Sequence, residues 1–477
     1  MKRFLFPALL FCTTALFAQE GYEIKVTFKP FKKQYIYLGH YFGKSYPIID
    51  SAMLNDKSEA VFKGSKKLNG GIYLVGYPNK AGFFEILVDK EQKFSIKADT
   101  ATIAKGAQFE NSPDNTLFSS YQQQMGNRGK KIHSLQQQLK TASNKADSSR
   151  IIDELTRTDK DVKDYREDII KKNSTSLLAA LLITMREPEL TGPLAHPKTK
   201  EDSLAAYHLY KKQYWERVNF WDGRLAYTTF FEEKLDKYFN QIVQPHPDSV
   251  IKEIDYMLGF ASASEEMTRF LLIKFVNRYL NQKYMWEDAV FVHLFEKYFA
   301  GKTYAWLADK GKKTITDRAY SLMANIMGTA AADIVLPDSS GNITGLYDLN
   351  ADYTVVVFWD PTCGHCKEVL PRLDSFYRAK WKAAGLKMFA VSKETDGTKK
   401  DWMSFIHEQK LEEWTHVYYS KAEDKMRIEG GIPGYSQLFD IQSFPTLYLL
   451  DKEKRIVAKK LAVDQIDDVL QIKRKGQ

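Results

Sequence analysis

One segment limits what this chain can fold into. From Tyr353 to Trp359 it reads YTVVVFW, then passes through Asp360-Pro361-Thr362 into Cys363-Gly364-His365-Cys366 and a helical pattern reaching residue 384. A short continuous apolar run bounded by a turn suits a strand covered on both faces. A strand feeding straight into a helix implies an α/β sheet, here with mixed strand directions, and puts the strand-to-helix corner at the chemistry. The surroundings agree. Residues 333–337 and 343–346 flank the turn Ser340-Gly341-Asn342, residues 386–391, 417–419 and 446–450 read as strands, and 455–460 as another after a turn. Residues 401–410, 435–439 and 464–472 read as helices.

The two cysteines at that corner gain weight from the count. The chain has 477 residues and three cysteines, too few for a disulfide scaffold, a zinc ribbon or cysteine-ligated iron–sulfur clusters. Residues 1–18 read as a secretion signal: Lys2 and Arg3, an apolar run from Phe4 to Phe17, then Ala18 before Gln19. The run is shorter than the roughly 20 residues that span a bilayer, and bulky Phe11 before Cys12 argues against lipidation. Cleavage after Ala18 removes Cys12 and leaves one pair. The formal charge of +9 comes from Lys and Arg interspersed with acidic residues, the pattern of solvated helix faces, so no nucleic-acid partner is expected. Residues 177–185 are apolar but too short to cross a membrane, so no transmembrane segment is expected in the mature chain.

Three further regions follow the signal at 1–18. Residues 19–105 alternate apolar and polar positions in short runs (24–28, 35–38, 71–75, 83–88, 94–96), with turns at Asn69-Gly70 and Pro78-Asn79, and predict a small antiparallel β domain. Residues 106–330 show helical periodicity, with breaks at Pro188, Gly192-Pro193, His196-Pro197 and Pro245-His246-Pro247, and predict an all-α domain. Its aromatic stripe, around Tyr214-Trp215, Phe220-Trp221, Tyr227, Phe230-Phe231 and Tyr238-Phe239, is expected to be core or a partner-helix contact. Residues 331–477 carry the α/β pattern. The β region offers no nucleophile with a base and no cluster of ligands, and in the helical region His208 and His293 stand singly.

At the first turn of a helix, unpaired backbone N–H groups and the dipole stabilise an anion, so Cys363 is expected to ionise more readily than a free thiol. Cys366, one turn later, is placed to resolve a mixed disulfide. His365 is expected to stabilise the Cys363 thiolate and so raise the reduction potential above thioredoxin's value of about −270 mV. Zinc would need two more ligands, which scattered His407 and His416 supply poorly, so no metal is expected. Covalent haem needs a histidine after the second cysteine, where Lys367 stands. A structural disulfide across so short a loop would staple almost nothing. Redox chemistry without a cofactor is the reading left.

The segment Phe358-Trp359-Asp360-Pro361-Thr362-Cys363-Gly364-His365-Cys366-Lys367, with Pro371 in the helix, resembles the active-site segment of the thioredoxin superfamily, and more narrowly its TlpA/ResA-like envelope branch. The resemblance covers residues 331–477. It implies a Cys363–Cys366 disulfide in the oxidised state and a thioredoxin-like fold. It also implies a cis-proline loop at Phe444-Pro445-Thr446 which, with Trp359 and Pro361, binds the substrate backbone. The sequence departs from thioredoxin at Val357, where a buried aspartate assists the second cysteine, and at Thr362, where a tryptophan stands. Asp360 and Glu368 are the remaining carboxylates that could serve Cys366. A peroxiredoxin would carry Pro and Thr at the positions of Val356 and Asp360. More loosely, residues 19–330 resemble the β and helical domains of unknown function that precede thioredoxin modules in envelope proteins.

The expectation is therefore a periplasmic thiol–disulfide oxidoreductase. Its partners would be cysteine-containing envelope proteins and a membrane electron-transfer thiol donor. The TlpA/ResA resemblance favours a reductase; the His-containing motif favours an oxidase or isomerase. The alternative is an envelope binding or scaffold protein whose redox pair is a regulatory switch.

Overall fold

The computed structural model describes residues 21–475, so the signal at 1–18, with Cys12 and the cleavage point after Ala18, lies outside the described residues. Contacts among the described residues divide the chain into two units. One holds the residues up to Gln244 with Tyr256–Leu271, the other Pro245–Asp255 with those from Leu272 onward.

In the first unit, alternation of apolar and polar residues produces eight strands: β1 (Tyr22–Lys29), β2 (Tyr35–His40), β3 (Ile48–Met53), β4 (Glu59–Gly64), β5 (Gly71–Gly76), β6 (Phe83–Val88), β7 (Lys93–Asp99) and β8 (Gln108–Glu110). They form two sheets, β4-β1-β7-β8 and β3-β2-β5-β6. Ile24, Val26 and Phe28 of β1 share one core with Ile36, Leu38, Val75 and Ile86 of the other sheet. Pairing is antiparallel as expected, save that β1 and β7 run parallel. A parallel pair needs a long crossover, and here the crossover is the rest of the sandwich.

Five α-helices follow in this unit, Pro113–Lys140, Lys145–Lys172, Leu177–Thr184, Lys200–Gln213 and Thr229–Lys237. Buried Asn115 locks the first of them to β6, accepting from Leu87 N and donating to Leu87 O, both at 2.7 Å. Arg224 Nη1 reaches Asp89 at 2.7 Å. The β domain and these helices thus share one unit. The aromatic stripe is largely core, with Tyr214, Phe220, Tyr227, Phe231, Tyr238 and Phe239 buried and Trp221 exposed.

The second unit shows why YTVVVFW reads as it does. Strand β11 (Tyr353–Trp359) sits at the centre of the sheet β13-β12-β11-β14-β15, whose other members are β12 (Leu386–Lys393), β13 (Thr415–Tyr419), β14 (Thr446–Leu450) and β15 (Ile456–Lys459). β12 and β13 run parallel to it in succession, and β14 and β15 continue antiparallel. Val355, Val357 and Trp359 face a core built from the helices Gly364–Phe376, Lys399–Glu408 and Val463–Lys475. Val356 and Phe358 face a second core with Ile334, Leu346, Tyr435 and Phe439. Both faces are covered, so apolar residues do not alternate with polar ones. The expected hairpin is present as β9 (Val335–Pro337) and β10 (Ile343–Gly345).

The helices Glu287–Leu294 and Asp309–Met323 belong to this same unit. Lys459 of β15 is paired with Asp288 and donates to Asn325 Oδ1 at 2.6 Å. Arg318 meets Asp440 at 2.5 Å. The Lys459 and Asp288 side chains are only 2% and 5% exposed, and burial pushes the aspartate's pKa up and the lysine's down. Such a pair adds little over an apolar one, but removing one partner strands a buried charge. Asp288→Ala is therefore expected to lower stability by about 3–5 kcal/mol, with most of the loss recovered by adding Lys459→Met. Urea denaturation of the three chains checks this; an Asp288→Ala midpoint equal to wild type would refute it.

Candidate active site

Cys363 is the N-cap of the helix Gly364–Phe376, with φ −68° and ψ 117°. Its Sγ accepts from the Cys366 amide at 3.4 Å, one of the N–H groups that a helix start leaves without an internal partner. The sulfur is half-buried and lies 3.6 Å from the carbonyl oxygen of Phe444. The Phe444–Pro445 bond is cis. Residues 81 apart in sequence thus meet because β11 and β14 are neighbours in the sheet.

The two thiols occupy different environments. Cys366 is 0% exposed and packs under the helix with Leu370 and Leu373. Burial pushes its pKa well above that of an ordinary thiol, opposed in part by a backbone hydrogen bond from Asp360. Both cysteines are free thiols here.

The turn before them is held by Asp360, which is 2% exposed. Its Oδ1 accepts from Thr362 N at 2.6 Å and Thr362 Oγ1 at 2.5 Å, while Oδ2 takes the hydroxyl of Thr395. Gly397 closes the same contact: a Cβ there would lie 2.8 Å from Pro361 Cγ and 2.9 Å from Thr362 Cγ2. Of the two carboxylates proposed for Cys366, Asp360 is beside it, whereas Glu368 is 80% exposed and faces His365 Nδ1 at 3.7 Å.

The remaining predicted residues divide by accessibility. His365 is exposed, Phe444 and Pro445 are half-buried, and Thr446 is buried with its hydroxyl on Ser443 O at 2.6 Å. Trp359 lies wholly in the core against Phe405, and Pro361 is buried in the turn. The structure therefore brings Cys363, Cys366, Phe444 and Pro445 together, places His365 at the rim, and sets Trp359 beneath. Thr395 and Gly397 were not anticipated. They sit in a loop after β12 with no local motif, and only the sheet order brings them to the turn. Among the described residues no three His, Cys, Asp or Glu side chains are grouped to hold a metal ion, and no helix is long and apolar enough to cross a membrane.

A five-stranded mixed sheet with a dithiol at the helix following its central strand and a cis-proline against the first sulfur defines a thioredoxin-like domain. Residues 327–464 match the AhpC/TSA family, in keeping with a thioredoxin-like C-terminal domain. Residues 162–324 match a domain of unknown function, DUF5106. No curated protein matches the chain. Among solved structures, a thioredoxin-like protein from Bacteroides caccae is 22% identical, with a TM-score of 0.45 over 61% of this chain and 98% of that one. A domain of a possible thiol-disulfide isomerase from Cytophaga hutchinsonii is 33% identical, with a TM-score of 0.27 over 31% of this chain and 94% of that one. The thioredoxin domain of a Bacteroides vulgatus thiol-disulfide oxidoreductase is 30% identical, with a TM-score of 0.26 over 30% and 95%.

The contrast between the thiols has a direct readout. With its pKa raised by burial, Cys366 stays protonated up to alkaline pH, and each unit of pKa is a tenfold change in thiolate fraction at a given pH. Iodoacetamide at pH 8 is expected to alkylate Cys363 at least about tenfold faster than Cys366. Peptide mass mapping over time checks this; equal labelling would mean that Cys366 is neither shielded nor held protonated.

Proposed function

We propose that this protein is a periplasmic thiol–disulfide oxidoreductase that acts on cysteines of envelope proteins through Cys363 and Cys366. The observation that carries the reading is the asymmetry of the pair: Cys363 half-buried, against the Phe444 carbonyl at 3.6 Å, and Cys366 fully buried one turn behind it. In the reducing direction the Cys363 thiolate attacks a client disulfide, forming a mixed disulfide and releasing one client thiol. Cys366 then gives up its proton and attacks Cys363 Sγ, releasing the second client thiol and leaving the Cys363–Cys366 disulfide. Two electrons have passed to the client. A membrane-bound thiol donor restores the dithiol. Phe444 offers its backbone to an extended client segment, a mode of recognition in which main-chain hydrogen bonds supply affinity.

The TlpA/ResA resemblance supports the reducing direction, and the leader at 1–18 supports the compartment. A peroxidase reading finds less support despite the family name, because Val356 and Asp360 stand where a peroxiredoxin has Pro and Thr. Val356 is also part of the core.

The test uses full-length chains. Cys363→Ser is expected to abolish reduction of a protein disulfide, and Cys366→Ala to accumulate mixed disulfides with envelope proteins, identified by mass spectrometry. A Cys363→Ser chain that supports wild-type function in cells, while removal of residues 21–330 abolishes it, would favour the scaffold reading instead.

A further inference from the structure

The chain between Tyr279 and Glu287 turns beside the loop that carries Pro445. There the second unit has a cavity of about 320 Å³, whose lining includes Lys283, Asp288 and Arg318 from the helical region and Gln442, Lys459 and Lys460 from the dithiol domain. Four of these six are cations and one is an anion. Asp440 just behind them receives Arg318 and Lys460, which still leaves two cations in excess. Lys283 is exposed, and among the described residues its ammonium holds no carboxylate. Asp288, Asp440 and Lys459 are buried, so the floor of the charged wall is built into the fold, while Lys283 and Lys460 stand at its open side.

The cavity lies within reach of the dithiol. Gln442 precedes Phe444 by two residues, at most about 7 Å of chain, and the Phe444 carbonyl is 3.6 Å from Cys363 Sγ. Met285, on the helical side, accepts from Lys459 N at 3.2 Å and packs on the same core that Cys363 and Phe444 touch. An extended peptide advances about 3.3 Å per residue. A client paired with the backbone of Phe444 would therefore bring side chains two to four positions from its cysteine to this cavity.

We infer that the cavity is a specificity subsite that receives acidic side chains of the client two to four residues from its reacting cysteine. This rests on the thiol–disulfide reading above and assigns part of the DUF5106 region a role in choosing clients. The wall that attracts the carboxylates comes from both regions, so the redox module alone would have half a subsite.

The test uses the full chain carrying Cys366→Ala and synthetic peptides whose single cysteine is a mixed disulfide with 2-mercaptoethanol. Cys363 attacks the peptide sulfur, forms the protein–peptide disulfide and releases 2-mercaptoethanol. Peptides with two Glu, two Gln or two Lys at the flanking positions are compared at low salt. Electrostatic complementarity acts mainly on association, so the Glu peptide is expected to be captured about fivefold to tenfold faster than the Lys peptide. In the same chain with Lys283→Gln and Lys460→Gln that ratio is expected to fall to about one. Each rate is normalised to the Gln peptide within its own variant, so a damaged fold does not mimic the result. Equal capture of the Glu and Lys peptides, or a ratio unchanged in the double variant, overturns the subsite. Failure to capture any peptide overturns the thiol–disulfide reading itself, and the subsite with it.

Discussion

Everything distinctive about this protein depends on one helix start placed where a fully buried strand ends. The first turn of the helix Gly364–Phe376 gives Cys363 a backbone donor and leaves it half-buried, and the same turn carries Cys366 into the apolar core. Two residues, Gly364 and His365, separate a half-buried sulfur from a fully buried one. In thiol–disulfide exchange the rate depends on thiolate fraction and on access, so this inequality sets which sulfur meets an outside disulfide first.

The rest of the second unit serves to hold that corner. β11 is apolar on both faces because helices cover one side and the β9–β10 hairpin with Tyr435 and Phe439 covers the other. Its antiparallel neighbour β14 delivers Phe444 and Pro445 to the sulfur, and its parallel neighbour β12 delivers Thr395 and Gly397 to the turn. Asp360 ties the turn from inside. The helical residues after Leu272 are joined to this domain through Lys459 and Asp288 and through Arg318 and Asp440. The region of unknown function therefore does not end at the edge of the redox module.

Much of this was legible in the sequence, for reasons that are local. The run YTVVVFW, the cysteine spacing and Pro445 before an apolar strand are each contiguous signals, and each is found where it was expected. Other features had no local signature. The helix Lys421–Glu429 buries none of its residues, so no apolar periodicity marks it, and only the Ser420 cap announces it. β3 shows mostly exposed side chains, including Ile48 and Met53, which blurs the alternation that defines a half-buried strand. The ion pair of Asp288 with Lys459 spans more than a third of the chain, and in sequence both residues look like ordinary surface charges. That Asp360 is buried while Glu368 is exposed is likewise not supplied by spacing alone.

The central claim is that Cys363 and Cys366 form one reversible two-electron couple. Equilibrating the chain without residues 1–18, which holds only this pair of cysteines, with graded glutathione buffers, quenching with an alkylating reagent and weighing the intact chain tests it directly. The account predicts that both thiols disappear together along a single two-electron Nernst curve and return on reduction. Loss of one thiol at a time, or oxidation of Cys363 to an acid without joining Cys366, would contradict it.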